Sequence, residues 1–181
     1  MDYIKLSKTI SYILRHHPED YNLELDKNGF VKIDDLLYAI NSKNEFEKSI
    51  NIKDINNMLD NSDKKRWEVI GDKIRAYYGH SFENIIEHEE KVPPDILYHG
   101  TTHKALNKIL LEGLLPISRQ FVHLSDDEDT AIIVGKRRDQ NPVILIIDAK
   151  RAYEEGIKFM CENNHIWLSK KIDAKYIKRK L

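Results

Sequence analysis

The apolar positions at the start of the chain fall at Tyr3, Leu6, Ile10 and Ile13, in steps of three, four and three, the spacing of one buried helical face. Pro18 ends that pattern, because the residue before a proline is pushed out of helical backbone angles. A turn signal at Asp26-Lys27-Asn28-Gly29, flanked by Leu23-Glu24-Leu25 and Phe30-Val31-Lys32-Ile33, predicts a small hairpin. Apolar spacing behind acidic or polar starts predicts two short helices, over 34–40 and 53–61. Residues 66–70 and 73–78 read as strands around Gly71-Asp72, a two-residue hairpin turn. Three helices closed by a hairpin is the pattern of a winged helix, although a fold pattern alone assigns no function.

A charged connector, Glu83 to Lys91, then runs into Val92-Pro93-Pro94, where paired prolines and lost periodicity mark a domain boundary. The chain is thereby divided into 1–92 and 93–181. Beyond the boundary the pattern predicts strands at 97–99, 121–124, 143–148, 157–160 and 165–168, with helices over 104–112 and 127–137. The expected fold class is α+β, with no internal repeat or low-complexity segment.

Composition narrows the function classes. In 181 residues, 41% hydrophobic content is enough for genuine cores. The 29 Lys plus Arg against 30 Asp plus Glu leave a net charge of −1, which argues against a polycation that binds nucleic acid by bulk charge. Residues 1–92 carry 14 basic and 18 acidic side chains, and the remainder 15 and 12, so the basic excess lies in the second half. Much of it is the tail Lys170, Lys171, Lys175, Lys178, Arg179 and Lys180, which reads as a solvated end. The single cysteine, Cys161, excludes an internal disulfide, and Met1 to Ser11 has no apolar signal core, so a cytoplasmic setting is expected. The longest aliphatic run, Val143 to Ile147, is far short of the roughly 20 residues that span a bilayer, and no membrane partner is expected.

Four polar groups stand at element ends, where scaffolds display reactive side chains. Arg15-His16 follows the first helix, and its cations could equally complement the helix dipole. Arg75, with Gly79-His80-Ser81 after it, stands at an alternating strand position. His99-Gly100-Thr101-Thr102 joins a strand to a helix, and backbone amides there suit an anion if Gly100 lets it approach; a loop with a capping threonine is the plainer alternative. Gly135-Lys136-Arg137-Arg138 closes a helix, as dipole complementation would, or completes a phosphate site with Arg15 and Arg75. His99 and His103 are spaced as on a zinc helix, but the turn between them and the lack of further ligands exclude a metal site. No Walker loop or dinucleotide glycine fingerprint is present.

In order and spacing, these groups resemble the RNA 2′-phosphotransferase family. The resemblance is carried by Leu6-Ser7-Lys8 through Leu14-Arg15-His16-His17-Pro18, Gly29-Phe30-Val31, Ile74-Arg75-Ala76 with Gly79-His80-Ser81, and Leu97-Tyr98-His99-Gly100-Thr101. Val122-His123-Leu124-Ser125, Val134-Gly135-Lys136-Arg137 and Ile166-Trp167-Leu168 complete it. It implies an N-terminal winged-helix lobe on the RNA side and a C-terminal ADP-ribosyltransferase-like lobe that binds NAD, with the active site in the cleft between them. It further implies transfer of an internal RNA 2′-phosphate to NAD, as in tRNA splicing or RNA repair, by a monomer needing no metal.

The catalytic set it implies is Arg15, His16, Arg75 and Arg137, the last chosen over Arg138 by the Gly-x-Arg spacing. The NAD-facing residues are His99, Gly100, Thr101, Arg119, His123 and Ser125, and His80 and Ser81 are candidates for the substrate phosphate. The chain departs from many members at Tyr78, where they have Gln, and at Phe121, where they have His. Ile166 stands where protein-modifying ADP-ribosyltransferases use a Glu, which fits a nucleophile that is already anionic. The competing expectations are a mono-ADP-ribosyltransferase stopping at the first step, and a winged-helix nucleic-acid-binding protein without activity.

Overall fold

The computed structural model describes residues 1–62, 66–82, 85–161 and 165–180. The chain forms two compact units, Met1–Glu87 and His88–Leu181, each with its own apolar core. Among the described residues the architecture is six α-helices and two antiparallel sheets.

Unit 1 opens with α1, Tyr3–Arg15, capped at its start by the Asp2 carboxylate accepting from the Lys5 amide at 2.9 Å. Its buried residues Leu6, Ile10, Ile13 and Leu14 lie along the anticipated face, and Tyr3 packs partly buried at its start. Helix α1 stops where the proline requires: His16 caps it and Pro18 begins a 3-10 turn, Glu19–Tyr21. Helices α2, Ile33–Ser42, and α3, Ile52–Asp60, supply Leu36, Ile40, Ile55 and Met58 to the same core.

The sheet of unit 1 has the order β1-β3-β2, from β1 Val31–Lys32, β2 Trp67–Ile70 and β3 Lys73–Ala76. Strands β2 and β3 form the anticipated tight hairpin, with Ile70 opposite Lys73 and Glu68 opposite Arg75. The hairpin expected around Asp26-Gly29 is a correction. The turn forms, with the Asp26 side chain accepting from the Asn28 and Phe30 amides, but Leu23 to Leu25 is not a strand. Val31 and Lys32 pair instead with Ile74 and Lys73, on the side of β3 away from β2, which makes a three-stranded sheet in place of an isolated hairpin.

Unit 2 is built on a six-stranded sheet of order β7-β8-β5-β4-β6-β9. Its strands are β4 Ile96–Thr101, β5 Val122–Ser125, β6 Val143–Asp148, β7 Met160–Cys161, β8 Ile166–Ser169 and β9 Ile177–Arg179. Helices α4 His103–Glu112, α5 Glu128–Gly135 and α6 Ala149–Glu154 complete it. The unit begins ahead of the paired prolines: Glu90 bridges Met160, and the Lys91 amide donates to the Phe159 carbonyl. Of the connector, Glu83 and Asn84 lie outside the described residues.

The cations of the basic tail are exposed, as expected of a solvated end, but the segment that carries them also holds a strand. Tyr176 and Ile177 are buried, β9 pairs with β6, and Lys175 and Lys180 form ion pairs with Glu155 and Glu128. Its cations flank the buried pair Tyr176-Ile177, so charge count concealed a short strand. No helix among the described residues is long and apolar enough to cross a membrane.

Candidate active site

In unit 1, two of the sequence groups meet. Gly79, at φ +95°, turns the chain after β3, and the Ser81 amide then donates to the Arg15 carbonyl at 2.8 Å. That bond sets the Ser81 Oγ 2.8 Å from His16 Nδ1. The Arg15 guanidinium donates from Nη2 to the Arg66 carbonyl at 3.4 Å and lies over the Tyr78 ring, 5.3 Å from its centroid. The Tyr78 ring therefore serves as the platform for Arg15.

Arg75 is held from three sides. Its Nε donates to Glu68 Oε2 at 2.6 Å, its Nη1 to the Asn28 carbonyl at 3.2 Å, and its guanidinium stacks over Phe30 at 4.8 Å. With the Arg75 and Glu68 side chains only 17% and 25% exposed, the pair is a fixed fork rather than a waving surface cation. Ser81 and His80 part company: Ser81 contacts His16, whereas His80 is 2% exposed and packs edge-on to Phe82.

In unit 2, β4 and β5 present the other candidates. His99 Nδ1 lies 2.9 Å from the His123 carbonyl, which can only accept, so Nδ1 carries the proton and Nε2 is left as an acceptor. Burial, and then the charge of Arg138, holds the His99 pKa below its ordinary value despite that bond, so the ring is neutral at pH 7. His123 repeats the arrangement, with Nδ1 3.0 Å from the Phe121 carbonyl and Nε2 3.3 Å from Arg119 Nη1. Ser125 is buried at the end of β5, opposite Tyr98 and Ile166.

Two expectations about the His99-Gly100-Thr101-Thr102 loop take a different form. Gly100 answers to helix packing: a Cβ there would lie 2.1 Å from the Ala131 carbonyl oxygen and 3.0 Å from Gly135 Cα, so α5 could not seat on β4. The start of α4 already holds an anion of the protein's own. The Thr102 hydroxyl accepts from the Ala105 amide, and the His103 amide donates to Asp139 Oδ2 at 3.2 Å. That amide leads the bonds holding the Asp139 pKa below the usual carboxylate range. His99, His123 and Arg119 are the expected site residues that come together in this region.

The glycine contact at Gly135 also fixes where α5 ends. Lys136 caps the helix, and Arg137 stands exposed just beyond, its amide donating to the Val134 carbonyl at 3.2 Å. The charge of Arg138 is among the causes that lower the His99 pKa. Phe121 is buried edge-on to His88 at 5.2 Å.

Residues 2–171 match the profile of the family described as RNA 2′-phosphotransferase, Tpt1 / KptA. The chain belongs to the RNA 2′-phosphotransferase family. It is 48% identical to a probable RNA 2′-phosphotransferase of Acetivibrio thermocellus over 178 residues, 98% of this chain and 97% of that one. It is 47% identical to a protein of the same description from Bacillus thuringiensis subsp. konkukian over 175 residues, 97% and 94% of the two chains. For one from Pyrococcus furiosus the figures are 38% over 173 residues, 96% and 93%. Family membership therefore extends across both units. Sequence reasoning missed Glu68, Asn28 and Phe30 around Arg75, Asp139 at α4, and the proximity of Arg138 to His99. Glu68 alone had a local signal, because a turn at Gly71-Asp72 puts it opposite Arg75.

Proposed function

We propose that this chain is an NAD-dependent RNA 2′-phosphotransferase, with unit 1 a winged-helix lobe on the RNA side and unit 2 an ADP-ribosyltransferase-like lobe for NAD. The observation that carries this reading is the family match over nearly the whole chain. The site chemistry agrees, since planar guanidinium groups beside a histidine suit a phosphate that must be both held and supplied with protons.

In the first step an oxygen of the RNA 2′-phosphate attacks the anomeric carbon of the nicotinamide ribose. The glycosidic bond breaks, its electron pair neutralises the pyridinium, and nicotinamide leaves, so that the RNA is joined through its phosphate to ADP-ribose. In the second step the neighbouring ribose hydroxyl attacks phosphorus, the bond to the RNA 2′-oxygen breaks, and a proton passes from the attacking hydroxyl to that oxygen. The products are RNA with a 2′-hydroxyl and ADP-ribose 1″,2″-cyclic phosphate.

Arg15, Arg75 and Arg137 would hold the phosphate through both steps, and His16 would move the proton of the second. Ser81 suits that shuttling: a hydroxyl donates or accepts, so the 2.8 Å contact to Nδ1 persists in either tautomer and keeps the ring aimed. NAD is a substrate here rather than a resident group. The neutral His99 acceptor suits a ribose hydroxyl, and Arg119 and Arg138 suit a pyrophosphate.

The test is incubation with 2′-phosphorylated RNA and NAD, following nicotinamide, RNA and cyclic phosphate together. Equimolar nicotinamide, 2′-hydroxyl RNA and cyclic phosphate are expected. A stable ADP-ribosylated RNA without cyclic phosphate would make the protein a transferase that stops at the first step. No nicotinamide release would leave a nucleic-acid binder without this activity.

A further inference from the structure

Lys8 and Tyr12 are four residues apart on α1 and His16, four further on, is the cap of that helix, so the three lead along it to the proposed general acid-base. The row is the floor of a groove in unit 1 whose opposite wall carries Ser62 and Arg66, beyond the end of α3. Arg66 reaches across that wall with Nη1 donating to Ser62 Oγ at 3.0 Å, while its guanidinium lies 5.8 Å from the Trp67 ring centroid. Its backbone carbonyl accepts from Arg15, and His16 itself lines the groove. The groove is therefore continuous with the site at His16.

We infer that this groove is a subsite for single-stranded RNA, taking the nucleotides next to the one that bears the 2′-phosphate. The inference rests on the reading of the site as an RNA 2′-phosphotransferase. The lining alternates in kind: a cation at Lys8, a ring at Tyr12, a titratable base at His16, and a second cation at Arg66 facing them. Backbone phosphates pair with separated cations and unstacked bases lie on rings, which is how single strands are held without a sequence code. Tyr12 is anchored for that use, its hydroxyl donating to Asp20 Oδ2 at 2.6 Å and one side stacked on His17 at 5.0 Å. The Lys8 to His16 row covers about 12 Å of helix, the reach of a nucleotide or two.

Charge favours this occupant over bulk duplex binding. With 14 basic against 18 acidic side chains in residues 1–92, only a local pair of cations can attract a backbone, and Glu19 and Asp20 are engaged with His17 and Tyr12. Two phosphates neutralised at Lys8 and Arg66 correspond to a salt slope of about −1.4 on logarithmic axes, at roughly 0.7 per single-strand contact.

The test compares the full-length protein with Lys8→Gln, Arg66→Gln, the double variant and Tyr12→Leu. Each is given a 2′-phosphorylated dinucleotide and a 2′-phosphorylated ten-nucleotide RNA over a salt series, and binding of the labelled ten-mer is followed by fluorescence anisotropy. The dinucleotide is too short to lie along the whole row and sets the baseline for each variant. The wild type is expected to favour the ten-mer. The double variant should lose that preference by on the order of tenfold and flatten the salt slope by about 1.4. Tyr12→Leu should weaken ten-mer binding with the slope retained. Because Gln at position 66 leaves the carbonyl that holds Arg15, a loss confined to the ten-mer is not a collapsed active site. If the double variant keeps both length preference and slope, the groove is not an RNA subsite. If the wild type turns over neither RNA, the phosphotransferase reading fails, and the anisotropy slopes still decide whether the groove takes RNA.

Discussion

Replacing Arg75 by Lys keeps the charge and removes the shape, so it separates attraction from geometry. In the protein Arg75 directs Nε to Glu68 at 2.6 Å and Nη1 to the Asn28 carbonyl at 3.2 Å, which orients the guanidinium plane on Phe30. A lysine has one ammonium, and the nearest strong attraction is the same carboxylate, so the cation is drawn to Glu68 instead of to a substrate phosphate. Hydrogen bonds to charged groups contribute about 1.5–3 kcal/mol each, and loss of a preorganised donor to developing charge costs roughly 10²–10³ in rate. A fall of that size in kcat/KM is therefore expected. The assay is single-turnover reaction of 2′-phosphorylated RNA at saturating NAD, with nicotinamide release reporting the first step and cyclic phosphate the second. A melting curve supplies the control: the ammonium of the Arg75→Lys variant retains the ion pair with Glu68, so Tm should change little while turnover collapses. Activity within about threefold of wild type, where the predicted deficit is two powers of ten, would refute the assignment of a bidentate role to Arg75.

Further outcomes are expected. His16→Ala and Arg137→Ala should slow the second step, so that ADP-ribosylated RNA accumulates under gel analysis; a block wholly before that intermediate would remove both from the second step. Ser81→Ala should lower the rate of the second step by roughly two- to tenfold, the worth of one net hydrogen bond, and broaden its pH profile; an unchanged profile would deny Ser81 a hold on the ring. Gly100→Ala should cost at least the roughly 1–3 kcal/mol of overpacking, because its Cβ meets backbone at 2.1 Å, and calorimetry that finds no loss of stability would contradict that contact. The lowered pKa of His99 means the unfolded chain takes up this proton first as pH falls. Its contribution to stability is thus complete above about pH 6.5 and is lost as pH drops from there through the lower folded value. His99→Gln should reduce the difference in Tm between pH 7.5 and pH 5.5, and an unaltered difference would sink the account.

Local chemistry explains why some of the molecule was legible at once. Pro18 had to end α1 near Arg15 and His16, since no neighbour can restore the helical angles a proline excludes. The turn at Gly71-Asp72 had to pair Ile70 with Lys73 and hence Glu68 with Arg75. That register, and with it the carboxylate beside Arg75, is available from the sequence. The strand of strongest apolar patterning, β6, was expected in place because four of its six residues are buried and burial leaves its mark residue by residue.

The sequence by itself determined the family, the helix end at Arg15-His16, the β2–β3 register and the alternation of strands and helices in the second unit. Each of these follows from contacts between residues close in the chain or from motifs in order. Only the tertiary structure decided that Gly100 yields to α5, that Asp139 fills the α4 start, that Arg138 reaches His99, and that a lysine-rich tail is the sheet's last strand. Those outcomes depend on which surfaces pack together after long stretches of intervening chain, and neither periodicity nor charge along the chain records that pairing.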